Sequence, residues 1–201
     1  PKQNAANLRT KGWELMLTWN DAFKLANKPF RYNLSVGLAD NTSEITKFDN
    51  PSKILSDYYV GQKLGDIWGY VVDGLFRTDE EAANYNVDQT AVNFVINTAQ
   101  VNPGLHAGDM KFVDLDGDHT ISSGSNTADD PGDRKIIGNS LPRYTYSIQG
   151  GFDWYGFDFS IYLQGVGHQD WYPGTNSVFF WGPYARPYSS FIPRDFLSQV
   201  W

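Results

Sequence analysis

At 201 residues the chain is long enough for one domain, and its 16 Lys plus Arg against 23 Asp plus Glu leave a formal net charge of −7. That deficit of positive charge excludes nucleic acid as a partner, because phosphate neutralisation needs an excess of cations. The absence of Cys removes disulfides and thiolate metal sites. There is also no apolar run of the ~18 residues that a spanning helix requires, but a spanning strand needs only ~9–11 residues with alternate positions apolar.

Strand period appears first in residues 12–20, where Trp13, Leu15, Leu17 and Trp19 alternate with Glu14, Met16, Thr18 and Asn20. A connection of roughly ten residues, Asp21 to Pro29, leads to a second run at 30–39, with Phe30, Tyr32, Leu34, Val36 and Leu38 opposed by Arg31, Asn33, Ser35, Gly37 and Ala39. These two segments are predicted to pair antiparallel.

The next hundred residues differ in character. Gly61 to Phe76 reads as loop with short strand pieces. Thr78-Asp-Glu-Glu81 has the spacing of a capping box and predicts a short helix, and Ala91 to Ala99 predicts another turn or two. Alternation returns at 143–154, where Tyr144, Tyr146, Ile148, Phe152 and Trp154 share a face. After a tight turn at Tyr155-Gly156 it continues through 157–165 with Phe157, Phe159, Ile161 and Leu163. Short links at one end of the strands and long connections, 46–142 and 168–201, at the other fit a transmembrane antiparallel β-barrel with short periplasmic turns and long extracellular loops. A soluble antiparallel sandwich alternates in the same way, so periodicity leaves both architectures open. Strands of about ten residues with aromatic ends favour the barrel. The chain begins at Pro1 without Met and stops at Trp201 inside an aromatic segment, and it reads as a piece of a longer protein.

Asp114, Asp116 and Asp118 occupy positions 1, 3 and 5 of an EF-hand-like loop, with Thr120 at position 7 able to offer its backbone carbonyl. Calcium takes six to eight hard oxygens, and alternate carboxylates on a turning backbone supply them. Position 6 is His119 rather than Gly, and position 12 is Ser125 rather than Glu, so the shell closes only if the chain loops out and returns with Asp129, Asp130 or Asp133. The competing reading is a solvated acidic turn held by Asx bonds. Catalytic patterns are poor: three His, at 106, 119 and 168, stand at no metal spacing, and there is neither a Cys nucleophile nor a G-x-S-x-G elbow, so no enzyme is expected. Trp171, Tyr172, Phe179, Phe180, Trp181 and Tyr184 form an aromatic cluster in a Pro-rich segment that suits sugar rings, peptide side chains or a protein interface.

Five ordered motifs carry a family resemblance: residues 4–15 (NAANLRTKGWEL), 67–76 (IWGYVVDGLF), 108–118 (GDMKFVDLDGD), 133–139 (DRKIIGN) and 157–165 (FDFSIYLQG). Together they resemble the SusC/RagA-like TonB-dependent outer-membrane transporters of Bacteroidota. The resemblance implies a middle-to-late slice of a plugged 22-stranded barrel. It further implies import of glycans or peptides, energised by TonB through a plug domain and lidded by a SusD-like surface lipoprotein. Trp13, Leu15, Leu17, Phe30, Tyr32, Leu34, Ile148, Phe157, Phe159 and Ile161 would face membrane lipid, and their polar alternates the lumen. In the family pattern the acidic loop closes with an Asp just before Arg, the position of Asp133, but here Asp114 to Asp133 counts twenty positions instead of twelve. The expected calcium ligands are therefore Asp114, Asp116, Asp118, Thr120 and Asp133, and the expected substrate-binding residues Trp171, Tyr172, Trp181 and Tyr184. The alternative is a soluble calcium-stabilised β-sandwich that binds carbohydrate through the same aromatics.

Overall fold

The computed structural model describes residues 6–92 and 104–172. Two compact units are present. The first is built on a four-stranded antiparallel sheet of β1 (Asn7–Leu25), β2 (Lys28–Lys47), β7 (Arg143–Trp154) and β8 (Phe157–His168), adjacent in that order. Between β2 and β7 the chain forms β3 (Asp66–Tyr70), β4 (Val72–Leu75), helix α1 (Asp79–Ala83), β5 (Met110–Phe112) and β6 (Arg134–Asn139).

Register decides what this sheet presents. Leu15, Leu17, Trp19 and Phe23 stand opposite Leu38, Val36, Leu34 and Phe30; the latter strand in turn sets Val36 against Ile148 and Tyr32 against Phe152; and β8 aligns Leu163 with Ile148 and Phe159 with Phe152. Since neighbours across a ladder share a face, the apolar positions of all four strands form one continuous surface. Every residue expected to face lipid lies on it. The reverse face carries Thr18, Ser35, Gln149 and Tyr162 in one row and Asn20, Asn33, Gly151 and Ser160 in the next, and Thr18 Oγ1 lies 2.6 Å from Ser35 Oγ.

The apolar surface is bare within this unit. Leu17 and Trp19 are each 61% exposed and Phe157 68%, whereas the inner layer of a β-sandwich would bury them. From Trp13 to Leu25 the stripe runs ~40 Å along the strand, or ~30 Å in height at a tilt of about 40°, which matches an apolar membrane band of ~25–30 Å. Near the turns Phe23, Phe30, Phe152 and Phe159 make a chain of rings across all four strands, with centroids 5.0, 5.3 and 5.4 Å apart in succession. This row has the form of an aromatic girdle.

The first hairpin is longer than expected. In place of a ten-residue link after Trp19, β1 continues to Leu25 and reverses through Ala26 and Asn27, at φ 49° and 65°. Asp21 hides the continuation in the sequence, because it breaks the apolar alternation while its carboxylate accepts the Ala22 N–H at 2.7 Å. Pro29, which looked like loop, sits at the second residue of β2, a strand position where Pro is tolerated. Tyr155 and Gly156, at φ 52° and 88°, form the expected second tight turn. Two positive-φ residues in a two-residue loop match the twist of the flanking strands.

Tyr144 departs from the alternation. It takes φ 54°, and the ladder passes from Arg143↔His168 directly to Thr145↔Val166. The register is the same on both sides of it, and Arg143 just before it grips Asp40 with Nε and Nη2, each 2.6 Å from a carboxylate oxygen. Above that point β7 no longer partners β2, and the chain at 61–64 does so instead. Ile45 N–H donates to Gln62 O, Gly61 N–H to Ile45 O and Leu64 N–H to Ser43 O, each at 2.9 Å. The edge of β2 is thereby covered above β7.

The second unit packs short elements around Phe76, Ala82, Val87 and Ile121, all buried. Here β3 pairs with β6 and β4 with β5. Helix α1 is the short helix that the capping box predicts: Thr78 Oγ1 accepts the Glu81 N–H at 3.1 Å, and Glu81 Oε2 reaches back to accept the Arg77 N–H at 2.9 Å. Residues 91 and 92 lie in a turn, and the rest of the helical segment expected at 91–99 falls outside the described residues.

The bare face makes a direct prediction. In the full-length protein folded into phosphatidylcholine vesicles, Val36→Arg should lower unfolding stability in urea titrations by ~2–4 kcal/mol. Gln149→Arg, on the reverse face, should change it by no more than about 0.5 kcal/mol.

Candidate functional site

The acidic loop is organised by its own backbone. Asp114 accepts the N–H of Gly117 on Oδ1 at 2.6 Å and that of His119 on Oδ2 at 2.9 Å; Asp116 Oδ1 accepts from Asp118 N at 3.1 Å, and Asp118 Oδ1 from Thr120 N at 2.7 Å. His119 takes φ 65°, the left-handed conformation that position 6 demands and that His visits more readily than most residues. Asp88 holds the end of the loop, its N–H donating to His119 O at 2.8 Å and its carbonyl accepting from Ile121 N at 2.7 Å. Ile121 is fully buried, so the loop is anchored in the core of its unit.

After Ser122 the chain leaves and comes back. Asp133 N–H donates to Ser122 O at 3.0 Å, and the intervening residues form a closed excursion. Gly124 and Gly132, at φ 52° and 59°, meet at its neck, where a Cβ on Gly132 would strike Gly124 N and Ser122 O. Within the excursion Asp130 accepts from both the N–H and the hydroxyl of Ser125. Arg134 ties the base together, with Nη2 donating to Ser123 O at 2.9 Å and to Asn126 Oδ1 at 3.0 Å. The insertion thus displaces nothing, because its two ends stay side by side.

The returning Asp133 brings a third carboxylate to the loop. It is fully buried, with Oδ1 accepting from Leu115 N and Oδ2 from Ser122 N, both at 2.7 Å. One carboxylate oxygen from each of Asp114, Asp116 and Asp133 falls within 4.8 Å of the others. The alternatives are engaged elsewhere: Asp129 pairs with Lys53 Nζ at 2.7 Å, and Asp130 with Ser125. Asp118 lies outside this three-carboxylate group, its Oδ1 accepting the Thr120 N–H, and Thr120 forms an isolated bridge with Asp88. Each oxygen of Asp133 retains a second lone pair after accepting its N–H, so the three carboxylates can still be shared with a hard cation.

Charge within the group is uneven. For Asp114, partial desolvation works against ionisation, but the N–H bonds from His119 and Gly117 together outweigh it and hold the carboxyl below its ordinary value. For Asp116 the Asp118 N–H favours the charged form, yet desolvation and the like charges of Asp118, Asp133 and Asp114 overcome it and raise the carboxyl. Such mutual repulsion is what a bound divalent ion relieves.

The expected aromatic site is described only in part. Trp171 and Tyr172 are 70% and 56% exposed, and Trp181 and Tyr184 lie outside the described residues. Sequence reasoning missed the Arg143–Asp40 pair, which joins residues 103 positions apart in the chain.

A sheet whose apolar side chains gather on one face, with tight turns at one end and long connections at the other, defines a segment of an antiparallel transmembrane β-barrel. No family model matches the chain. Two curated proteins of Formosa agariphila do: TonB-dependent receptor P39, 27% identical over 183 residues, covering 80% of this chain and 17% of that protein, and TonB-dependent receptor P3, 22% identical over 175 residues, covering 81% and 15%. The chain is a TonB-dependent receptor-like barrel segment, and it spans less than a fifth of the length of these relatives.

Proposed function

We propose that this chain is part of the barrel wall of an outer-membrane, TonB-dependent importer of the SusC-like type, taking up glycans or peptides with a SusD-like surface lipoprotein above it and TonB acting through a plug elsewhere in the protein. The observation that carries the reading is the register, which collects the apolar side chains of four strands on one exposed face and hydroxyls and amides on the other. A lipid-facing wall with a hydrated lumen needs that division. The likeness to two named TonB-dependent receptors supports the same reading, and the five ordered motifs support the SusC-like refinement. In this reading the turns at Ala26-Asn27 and Tyr155-Gly156 face the periplasm. The long connections face outward, and Trp171, Tyr172, Trp181 and Tyr184 contribute to the substrate mouth. Nothing in this role calls for catalysis.

We further propose that Asp114, Asp116 and Asp133 hold calcium as a structural brace of the long connection. Their carboxylates are hard donors brought together by a fixed backbone, with no soft ligand among them. The ion would neutralise like charges in the group and lock the returning end of the insertion to its start.

Two measurements test these readings. In a full-length protein freed of any other Cys, a single cysteine can report sidedness: Thr127→Cys should react with a membrane-impermeant maleimide on intact cells, and Asn27→Cys only after the outer membrane is opened. Reaction of both on intact cells, or recovery of the full-length protein as a soluble monomer without detergent, would sink the barrel reading. Calcium titration by calorimetry should lose at least about tenfold in affinity with Asp133→Asn and stay within about twofold of wild type with Asp129→Ala. An unchanged Asp133→Asn would leave the acidic turn as a metal-free structure.

A further inference from the structure

Above Trp13 the outer face changes from apolar to cationic within two residues. Lys11 occupies the next outward position of β1, and Arg9 the one after. Arg9 Nη2 lies 2.9 Å from Glu44 Oε2 across the β1–β2 ladder, and the backbone of Glu44 pairs on its other side with that of Lys63 in an antiparallel β-bridge. The segment carrying Lys63 is the one that takes over the edge of β2 above β7, through the bonds of Gly61, Gln62 and Leu64. Arg9, Glu44 and Lys63 therefore form one row across three chain segments, with Lys11 adjoining it.

Three cations, Arg9, Lys11 and Lys63, stand with two carboxylates, Glu44 and Asp66, the latter accepting the Lys63 N–H at 3.2 Å, so the patch keeps a net charge of +1 in a chain whose total is −7. Glu44 accounts for Arg9. Lys11 and Lys63 enter no ion pair with a carboxylate among the described residues. In the row below, at the border of the apolar band, Asp40 stands opposite Trp13 and is neutralised by the two-point grip of Arg143. No uncompensated anion separates the lysines from Leu15 and Leu17. The turn side of the same face bears Lys28, whose Nζ already lies 5.2 Å above the ring of Tyr155.

We propose that Lys11 and Lys63, assisted by Arg9, form a binding site for the phosphate groups of a phosphate-bearing lipid in the leaflet nearest the long connections, with its acyl chains lying along Leu15, Leu17 and Val36. The inference rests on the reading that this face meets lipid, and it adds a headgroup chemistry to it. A lysine stem lies along apolar surface while its ammonium reaches the headgroup level, and phosphate oxygens accept charge-assisted hydrogen bonds from more than one such donor. Free phosphate would make the polar contacts alone. The lipid adds the apolar contact two residues lower, which makes the lipid the committed occupant.

The test is native mass spectrometry of the full-length protein in neutral detergent, titrated with a diphosphoryl glycolipid and with phosphatidylcholine of matched chain length. Wild-type protein should retain the glycolipid at a concentration at least about tenfold lower than phosphatidylcholine. Lys11→Gln with Lys63→Gln should erase that preference, and Lys11→Arg with Lys63→Arg should keep it. Heat-modifiable gel mobility reports whether each variant is folded, so loss of the barrel and loss of the site are distinguished. Equal preference in the folded glutamine variant would overturn the proposal. So would displacement of the glycolipid by millimolar inorganic phosphate, which would make this a site for the free anion.

Discussion

The pairing register of β1, β2, β7 and β8 is the constraint on which the rest depends. Side chains alternate faces along a strand, so a slip of one residue in any of the three ladders would move an entire strand's apolar set to the polar face. The observed ladders avoid this over the full overlap of the strands, and aromatic pairs such as Phe23 with Phe30 and Phe152 with Phe159 hold the turn end in place. Two-residue turns leave no slack for slippage. The β7–β8 register runs unshifted past Tyr144, beside the Asp40–Arg143 pair, and the β1–β2 ladder shifts between Asn7 and Leu8, beyond the apolar band.

The long connection solves a different problem, which is to order many polar residues with little apolar core. It does so by local side-chain-to-backbone bonds, each short in sequence, and by a few long-range closures. Asp133 is the most consequential of these, since its two oxygens join Leu115 to Ser122 and return the inserted residues to their starting point. Gln89 plays the same part near Ile121, donating to Met110 O at 2.7 Å while accepting from Phe112 N at 3.3 Å. Both are fully buried polar groups with satisfied partners. A cation bound by Asp114, Asp116 and Asp133 would act on a loop that the chain has already folded into shape.

The faces of the sheet were legible in the sequence because alternation is a local property: Trp13 to Trp19, Phe30 to Leu38 and Phe157 to Leu163 each announce their face unaided. Strand ends were not. Asp21 and Pro29 broke the pattern at the turn, and the change from apolar to charged outer residues at Lys11 ended the hydrophobic signal while pairing continued to Asn7. In the acidic loop, spacing pointed to Asp114 and Asp116, and the family pattern pointed to Asp133 across the insertion. Spacing also pointed to Asp118, whose carboxylate lies outside the three-carboxylate group. Which of these carboxylates come together depends on the return of Asp133 to Leu115 and Ser122, a contact across the insertion that spacing does not supply.

The central claim, that the Trp13-to-Leu25 stripe and its partners face lipid, is tested most directly by spin labels. In the full-length protein reconstituted in vesicles, single labels placed at 13 through 25 would be scanned for collision with oxygen and with a water-soluble nickel chelate. The account predicts a period of two, with odd positions from 13 to 19 favouring oxygen and even positions favouring the chelate. A flat profile, or one with the faces exchanged, would contradict it.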